Sequence, residues 1–272
     1  MGMLQTHIEQ WHRRADRVGT FALQGLQGFK RFSRLFASIL HVFLRMRWIS
    51  RPAVMNVVVR QVYFTGVQSL PWVIAIALGT GVLAVYNIVD FARRIQDLSL
   101  IGSLMNGILV QEIAPFLVAI FLLARSGVAV VTEVGHMQSR GEDALLLSLG
   151  VSPYEYLYLP RILAFSLCGL VLTFVFVVVS IWVGGLVVSW TYTLNFSEFL
   201  FEVQRGMDLN GLIGMMVKGM FYPMLSCMML LDQGSMVGND PNQIPVRATH
   251  GVLGALLLML FLDVVWVLIW NL

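Results

Sequence analysis

Five stretches of this 272-residue chain, at about 65–89, 98–125, 160–190, 209–231 and 249–270, are apolar over enough length to cross a bilayer. A helix needs about 20 residues to span the hydrocarbon, and in lipid only helices or closed barrels satisfy every backbone polar group. The expected fold is therefore an all-α integral membrane protein with five transmembrane helices. Hydrophobic residues make up 58% of the chain and charged residues 12%, against about 45–50% and 25% in soluble domains. A water-soluble enzyme could not hide that much apolar surface. A disordered chain and a nucleic-acid reader are excluded with it, since both need far more charge.

The charges that remain set an orientation. Ten of the eighteen Lys and Arg residues precede position 61: Arg13, Arg14, Arg17, Lys30, Arg31, Arg34, Arg45, Arg47, Arg51 and Arg60. With the N-terminus inside, Arg125, Arg140, Arg161 and Arg247 join them in the cytoplasm, while Arg93, Arg94 and Arg205 lie outside. Basic residues concentrate on cytoplasmic segments, which predicts N-in and C-out. Before the first span, Leu4, Ile8, Trp11, Ala15 and Val18 recur at three- and four-residue steps, as do Phe32, Leu35, Phe36, Ile39, Leu40 and Phe43. Amphipathic basic helices of this kind lie in the headgroup plane; a cytosolic helical hairpin is the other reading. The chain thus divides into an interfacial region, 1–60, and a transmembrane domain, 61–272. Its polar first sixteen residues do not read as a secretory leader. Cys168 and Cys227 sit inside apolar runs and are expected as packed, reduced thiols.

Three ionisable residues fall deep in the spans: Glu112, Lys218 and Asp263. A charge at that depth costs at least about 2.5–3.5 kcal/mol, so such residues face protein or water and usually carry function. Glu112 lies 13 residues before Arg125 and Lys218 lies 14 before Asp232, which puts both about 20 Å from the inner edge at the helical rise. An acid and a base at one depth either neutralise each other or grip a zwitterionic headgroup. On a regular helix Lys218 shares its face with Gly211, Met215, Gly219, Tyr222 and Ser226, and Glu112 with Met105, Ile108, Pro115, Phe116, Ala119 and Leu123. Pro115 and Pro223 remove the helical partners of the Gln111 and Gly219 carbonyls. Kinked helices with a charge beside an apolar wall suit an amphipathic ligand. The candidate lipid contacts are Glu112, Lys218, Gln111, Tyr222, Phe116 and Met215; Asp263 reads as a cap or as the partner of a neighbouring helix.

Other signals are weaker. Met216, Met220, Met224 and Met228 form a stripe that packing explains better than a soft-metal path, and His136 stands without metal-ligand spacing. No phosphate-binding GxxxxGK[ST] loop or GxSxG nucleophile turn occurs, so ATP hydrolysis by this chain is not expected.

The segment joining the second and third spans mixes Glu133, Arg140, Glu142, Asp143 and Glu155 with an apolar LLLSLG run ending at Gly150. It reads as a short amphipathic helix along the membrane that presents charge to a partner. The stretches LVQEIAPFLVAIFLLARSGVAVVTEVGHM (109–137) and EDALLLSLGVSPYEYLYLPRILA (142–164) resemble the MlaE/YrbE family of permease subunits. RQVYFTGVQSL (60–70) and VRATHGVLGALLLMLFLDVVW (246–266) resemble that family's approach to its first span and its last helix. The family serves ABC-type lipid transporters that work with MCE-domain proteins. Gln111 stands where the family usually has Arg, and Leu-Ala-Arg125 where it usually has Ala-Gly-Arg, so the chain reads as a divergent member.

The resemblance implies a homodimeric permease in a bacterial inner membrane that moves phospholipid or a similar lipid between that membrane and the cell envelope. An ABC ATPase subunit would dock under each loop, with ATP and Mg bound there and no cofactor on this chain. A periplasmic MCE-domain protein is the further expected partner. Coupling would map onto about 133–150, including Glu133, Arg140, Glu142, Asp143 and Gly150, and the lipid pocket onto Glu112 and Lys218. The alternative is a membrane-embedded lipid-modifying enzyme using Glu112 as general acid or base.

Overall fold

The structure, a computed structural model, describes residues 30–31, 33–44, 52–97, 99–192 and 195–270. Helix α1 (Ser33–Leu44) is followed by α2 (Pro52–Thr65), a tight turn at Val67–Ser69, and α3 (Leu70–Arg94). Then come α4 (Leu100–Ser139), the short α5 (Glu142–Ser148), α6 (Tyr154–Thr191), α7 (Phe196–Gly206), α8 (Leu209–Ser235) and α9 (Ile244–Trp270). No strand occurs among the described residues. Five helical stretches, ending in α3, α4, α6, α8 and α9, are long and apolar enough to cross a membrane. The chain is a multi-pass, all-helical membrane protein.

Close backbone contact between helices organises the bundle around α6, which packs on α2, α3 and α8. Water supplies no driving force between helices in lipid, so association depends on small residues that let backbones approach. Gly81 of α3 abuts Ser180 of α6, where a built Cβ would lie 2.6 Å from the Ser180 Cα. Gly169 of α6 meets the Gly219 carbonyl and Pro223 of α8 just as closely. Cys168 and Cys227 are buried free thiols, as their apolar setting predicts.

The junction between the second and third spans differs from expectation. Of the 133–150 stretch assigned to coupling, α4 takes the first part, running on through Glu133 to Ser139 before the chain turns, and the short helix is confined to α5. Nothing between Arg125 and Ser139 breaks a helix, and leaving the membrane is not a stop signal. The 40 residues of α4 rise about 60 Å, twice the hydrocarbon thickness. Gly141, at φ 72°, makes the turn, and Gly150, at φ 73°, ends α5. There the Val151 N–H bonds the Leu146 carbonyl at 2.9 Å and the Gly150 N–H bonds that of Leu147 at 3.0 Å. This is the glycine-closed helix end that leaves few orphan carbonyls.

On α1, Leu35 and Ile39 enter the core while Phe36, Leu40, Phe43 and Leu44 face outward. Beside it, Arg31 Nε lies 3.2 Å from Asp232 Oδ1 at the end of α8, an ion pair without hydrogen-bond geometry. The amphipathic stretch from Leu4 to Val18, and Phe32, lie outside the described residues.

Two glycines two residues apart on α3 test this packing. Gly79 has open space around it and Gly81 does not. Gly81→Val is expected to destabilise the protein by about 1–3 kcal/mol through forced separation of α3 and α6. Gly79→Val should leave detergent-solubilised thermal stability close to wild type. Equal behaviour of the two variants would overturn the backbone-contact account.

Candidate functional site

The three intramembrane charges converge. Lys218 Nζ on α8 lies 2.5 Å from Glu112 Oε2 on α4 and 2.9 Å from Asp263 Oδ1 on α9. The Tyr222 hydroxyl, one turn beyond Lys218, donates to the same Asp263 oxygen at 2.7 Å. The Lys218 side chain has 0% exposure, whereas those of Glu112 and Asp263 retain 36% and 26%. Trp266, one turn after Asp263, places its ring centroid 5.9 Å from the ammonium. Asp263 is thus the partner of a neighbouring helix, one of the two roles its sequence allows.

The arrangement decides what the site can offer. An ammonium in a medium of low dielectric needs charge and hydrogen-bond partners, and removing one member of such a buried group costs about 3–5 kcal/mol. Two carboxylates against one ammonium leave a formal excess of one negative charge. Because Lys218 is enclosed, the reachable groups are the carboxylates, which stay partly exposed among the described residues. Lys218 itself is not positioned to grip a phosphate.

Local structure aims these groups. From Met105 to Ile113, α4 winds in wide π turns, then resumes an α-helix at Ala114. The Ala114 N–H bonds back five residues to Leu109, just ahead of Pro115, which has no N–H to give. Such widened turns are uncommon and are often found at functional positions. They also change the angle per residue, so the face computed for a regular helix does not hold: Met105 is buried and Ile108 is exposed. Lys218's face on α8 does hold, with Gly211, Met215, Gly219, Tyr222 and Ser226 all buried. One further tie fixes α4 to α8. Asp208 Oδ1 accepts from the Asn106 amide at 2.8 Å and from the Gly211 N–H at 2.8 Å. Those bonds hold the Asp208 carboxyl below the usual carboxylate range.

The remaining expected lipid contacts divide. Gln111 faces α8 near Gly211 and Gly214, two turns or less from Lys218. Phe116 instead lines an apolar groove with Thr80, Leu83 and Asn87 of α3. Sequence singled out Asn106, Asp208 and Trp266 for no role; of the three, only Trp266, three residues after Asp263 on one helix, carried a spacing that could have marked it.

The expected coupling residues sit about α5. Glu133 pairs with buried Arg161 at 2.8 Å, so it holds α4 to the start of α6. Arg140 and Glu142 approach to 3.8 Å across the Gly141 turn. Glu142 and Asp143 occupy the first turn of α5, where the helix dipole favours acids. Burial, reinforced by Glu142, pushes the Asp143 carboxyl above its ordinary range despite the pull of Arg161. Gly150 ends the helix, and Leu145, Leu147 and Leu149 stand exposed around it. His136 is exposed, as are Met216 and Met220 of the methionine stripe, while Met228 is buried.

Comparison with known proteins agrees with this architecture. The chain is 26% identical over 215 residues to the intermembrane phospholipid transport system permease protein MlaE of Haemophilus influenzae, covering 75% of this chain and 79% of that one. A probable ABC transporter permease protein of Rickettsia typhi is 24% identical over 213 residues, 78% of this chain and 82% of its own. One from Synechocystis is 32% identical over 126 residues, 45% of this chain and 46% of its own. The family profile described as Permease MlaE matches residues 58–269, across all five spans. The chain belongs to the MlaE family of transport permeases.

Proposed function

We propose that this chain is the membrane subunit of an ATP-driven ABC transporter that moves phospholipid between a bacterial inner membrane and the envelope beyond it. The observation that carries the reading is the cluster of Glu112, Lys218 and Asp263, whose carboxylates remain partly open at membrane depth. Open carboxylates facing hydrocarbon would be costly. They are accommodated if a second copy of the chain faces them and the two enclose a polar cavity. A homodimer with a lipid-sized pocket on its axis meets that condition, and the exposed flank of α9, with Leu257, Phe261 and Val264, gives it a surface to share. The carboxylates would receive the ammonium of a zwitterionic headgroup, with acyl chains against the apolar flanks. The name of the Haemophilus relative supports phospholipid as the cargo.

In this reading the ABC ATPase, with its ATP and Mg, docks beneath α5. The three exposed leucines form an apolar patch larger than an isolated surface residue would explain, and such patches mark protein contacts. Closure of the ATPases would push α5 and, through the Glu133–Arg161 pair, the adjoining ends of α4 and α6. The long α4 carries Glu112 on the same continuous helix. A periplasmic MCE-domain protein would receive or supply lipid at the far end. The N-terminus lies in the cytoplasm with most basic residues.

Two measurements separate pocket from docking. With the partner ATPase in proteoliposomes, Glu112→Gln should lower ATP-dependent phospholipid transfer about tenfold, as expected for losing a charged hydrogen bond. ATPase copurification should be unchanged, and normal transfer would remove the pocket assignment. Leu145→Glu combined with Leu149→Glu should abolish ATPase copurification while the purified chain keeps its thermal stability. An intact complex would refute docking at α5.

A further inference from the structure

At the loop-side end of the spans a second cavity, of about 530 Å³, lies among α2, α4 and the start of α6. That size lies within the range of small-molecule sites. Arg60, Arg125 and Arg161 line it, with Glu133 as the lone carboxylate. Glu133 is already committed to Arg161. Among the described residues no carboxylate pairs with Arg60 or Arg125, so the cavity holds two cations in excess.

The guanidinium of Arg125 is held in place before any ligand arrives. It donates to the Phe64 carbonyl at 3.2 Å, to Gln68 Oε1 at 3.3 Å and to Ser69 Oγ. These acceptors are all neutral and use part of its five donors. Arg161 adds an independent sign of a missing partner. Its side chain is 3% exposed, and its Nε is buried with no hydrogen-bond partner. A buried donor left unsatisfied costs about 1–3 kcal/mol, which a ligand oxygen would recover. Between the cations the walls are apolar, with Val57, Phe64 and Leu157.

We infer that this cavity binds the phosphate-bearing headgroup of an anionic phospholipid from the loop-side leaflet, with the start of its chains against the apolar wall. The site is separate from the mid-membrane cluster. Arg125 lies 13 residues along α4 from Glu112, about 20 Å of helix, and the cavity opens on α2 and α6 rather than on α8 and α9. Position favours lipid over a soluble anion, since Arg125 stands where the apolar run of α4 ends and the headgroup layer begins. Occupancy would tie the α2–α3 junction to α4, because Arg125 holds the carbonyl of Phe64 on one side and lines the cavity on the other.

The test is native mass spectrometry of the full chain from mixed micelles of dioleoyl phosphatidylglycerol and dioleoyl phosphatidylcholine. Wild type should retain phosphatidylglycerol in preference. Arg60→Gln should lower that preference about fivefold, the contribution of one basic residue to an anionic lipid. Arg60 is exposed, and its recorded contact is the Phe64 ring at 5.7 Å, so this variant keeps the test valid if Arg125→Gln fails to fold. The loss of preference caused by Arg60→Gln should be the same size in a Glu112→Gln background, which separates this site from the transport pocket. Equal retention of the two lipids by wild type, or an unaltered preference in Arg60→Gln, would overturn the inference. Displacement of the lipid by inorganic phosphate alone would assign the cavity to a free anion, and loss of preference only when an acidic partner protein is added would assign it to that protein.

Discussion

A single enclosed ammonium holds three helices of this protein in register. Lys218 reaches α4 through Glu112 and α9 through Asp263, and Tyr222 secures the second of these from the same helix. In water three such contacts would contribute little. In hydrocarbon, removing one member exposes the others to the full desolvation cost, so the helices are locked to one rotation about their axes. That constraint determines which faces remain open. With Lys218 at the centre, the outward positions fall to Glu112 and Asp263, and the outer surface of the cluster is acidic. A site that looks zwitterionic as a set of residues is anionic toward a ligand.

The same constraint accounts for the irregular winding of α4. A regular helix reaching Pro115 would leave carbonyls unpaired where no water can satisfy them. Wide turns from Met105 to Ile113 shift the bonding register ahead of the proline. They also rotate Glu112 relative to the regular segment that follows, and the Asn106–Asp208 bond fixes the start of the irregular stretch to the N-terminus of α8. Glu112 is therefore placed by a local departure from helical geometry and by a polar tie at each end of it.

Depth was legible in the sequence and direction was not. Rise along a helix is linear in residue number, so Glu112 and Lys218 could be placed at one level from spacing alone. The five spans followed from length and apolarity for the same reason. Rotation is different: it accumulates about 100° per residue, and a few π turns move a face altogether, as the contrast between buried Met105 and exposed Ile108 shows. Asp263 joined the cluster through the packing of α9 on α8, which no sequence spacing reports. Near α5 the short helix of the junction was legible, but the length of α4 was not: a helix has no reason to end at the membrane surface, and α4 ends where Gly141 permits left-handed backbone.

Charge is divided along α4 in a way that bears on mechanism. Glu112 belongs to a mid-membrane cluster with excess negative charge, while Arg125, three to four turns away, belongs to a cavity with excess positive charge. Both groups are carried by one continuous helix, and Glu133 at its far end is clamped to Arg161. A displacement of that end cannot be absorbed within α4 except at its wide-turned segment and at the turn from Leu123 to Gly127, which is also of the π type. Each irregular stretch adjoins one of the two charged regions. Movement imposed from the loop side would therefore be released beside the two charged regions, and the rest of the helix would transmit it as a rod.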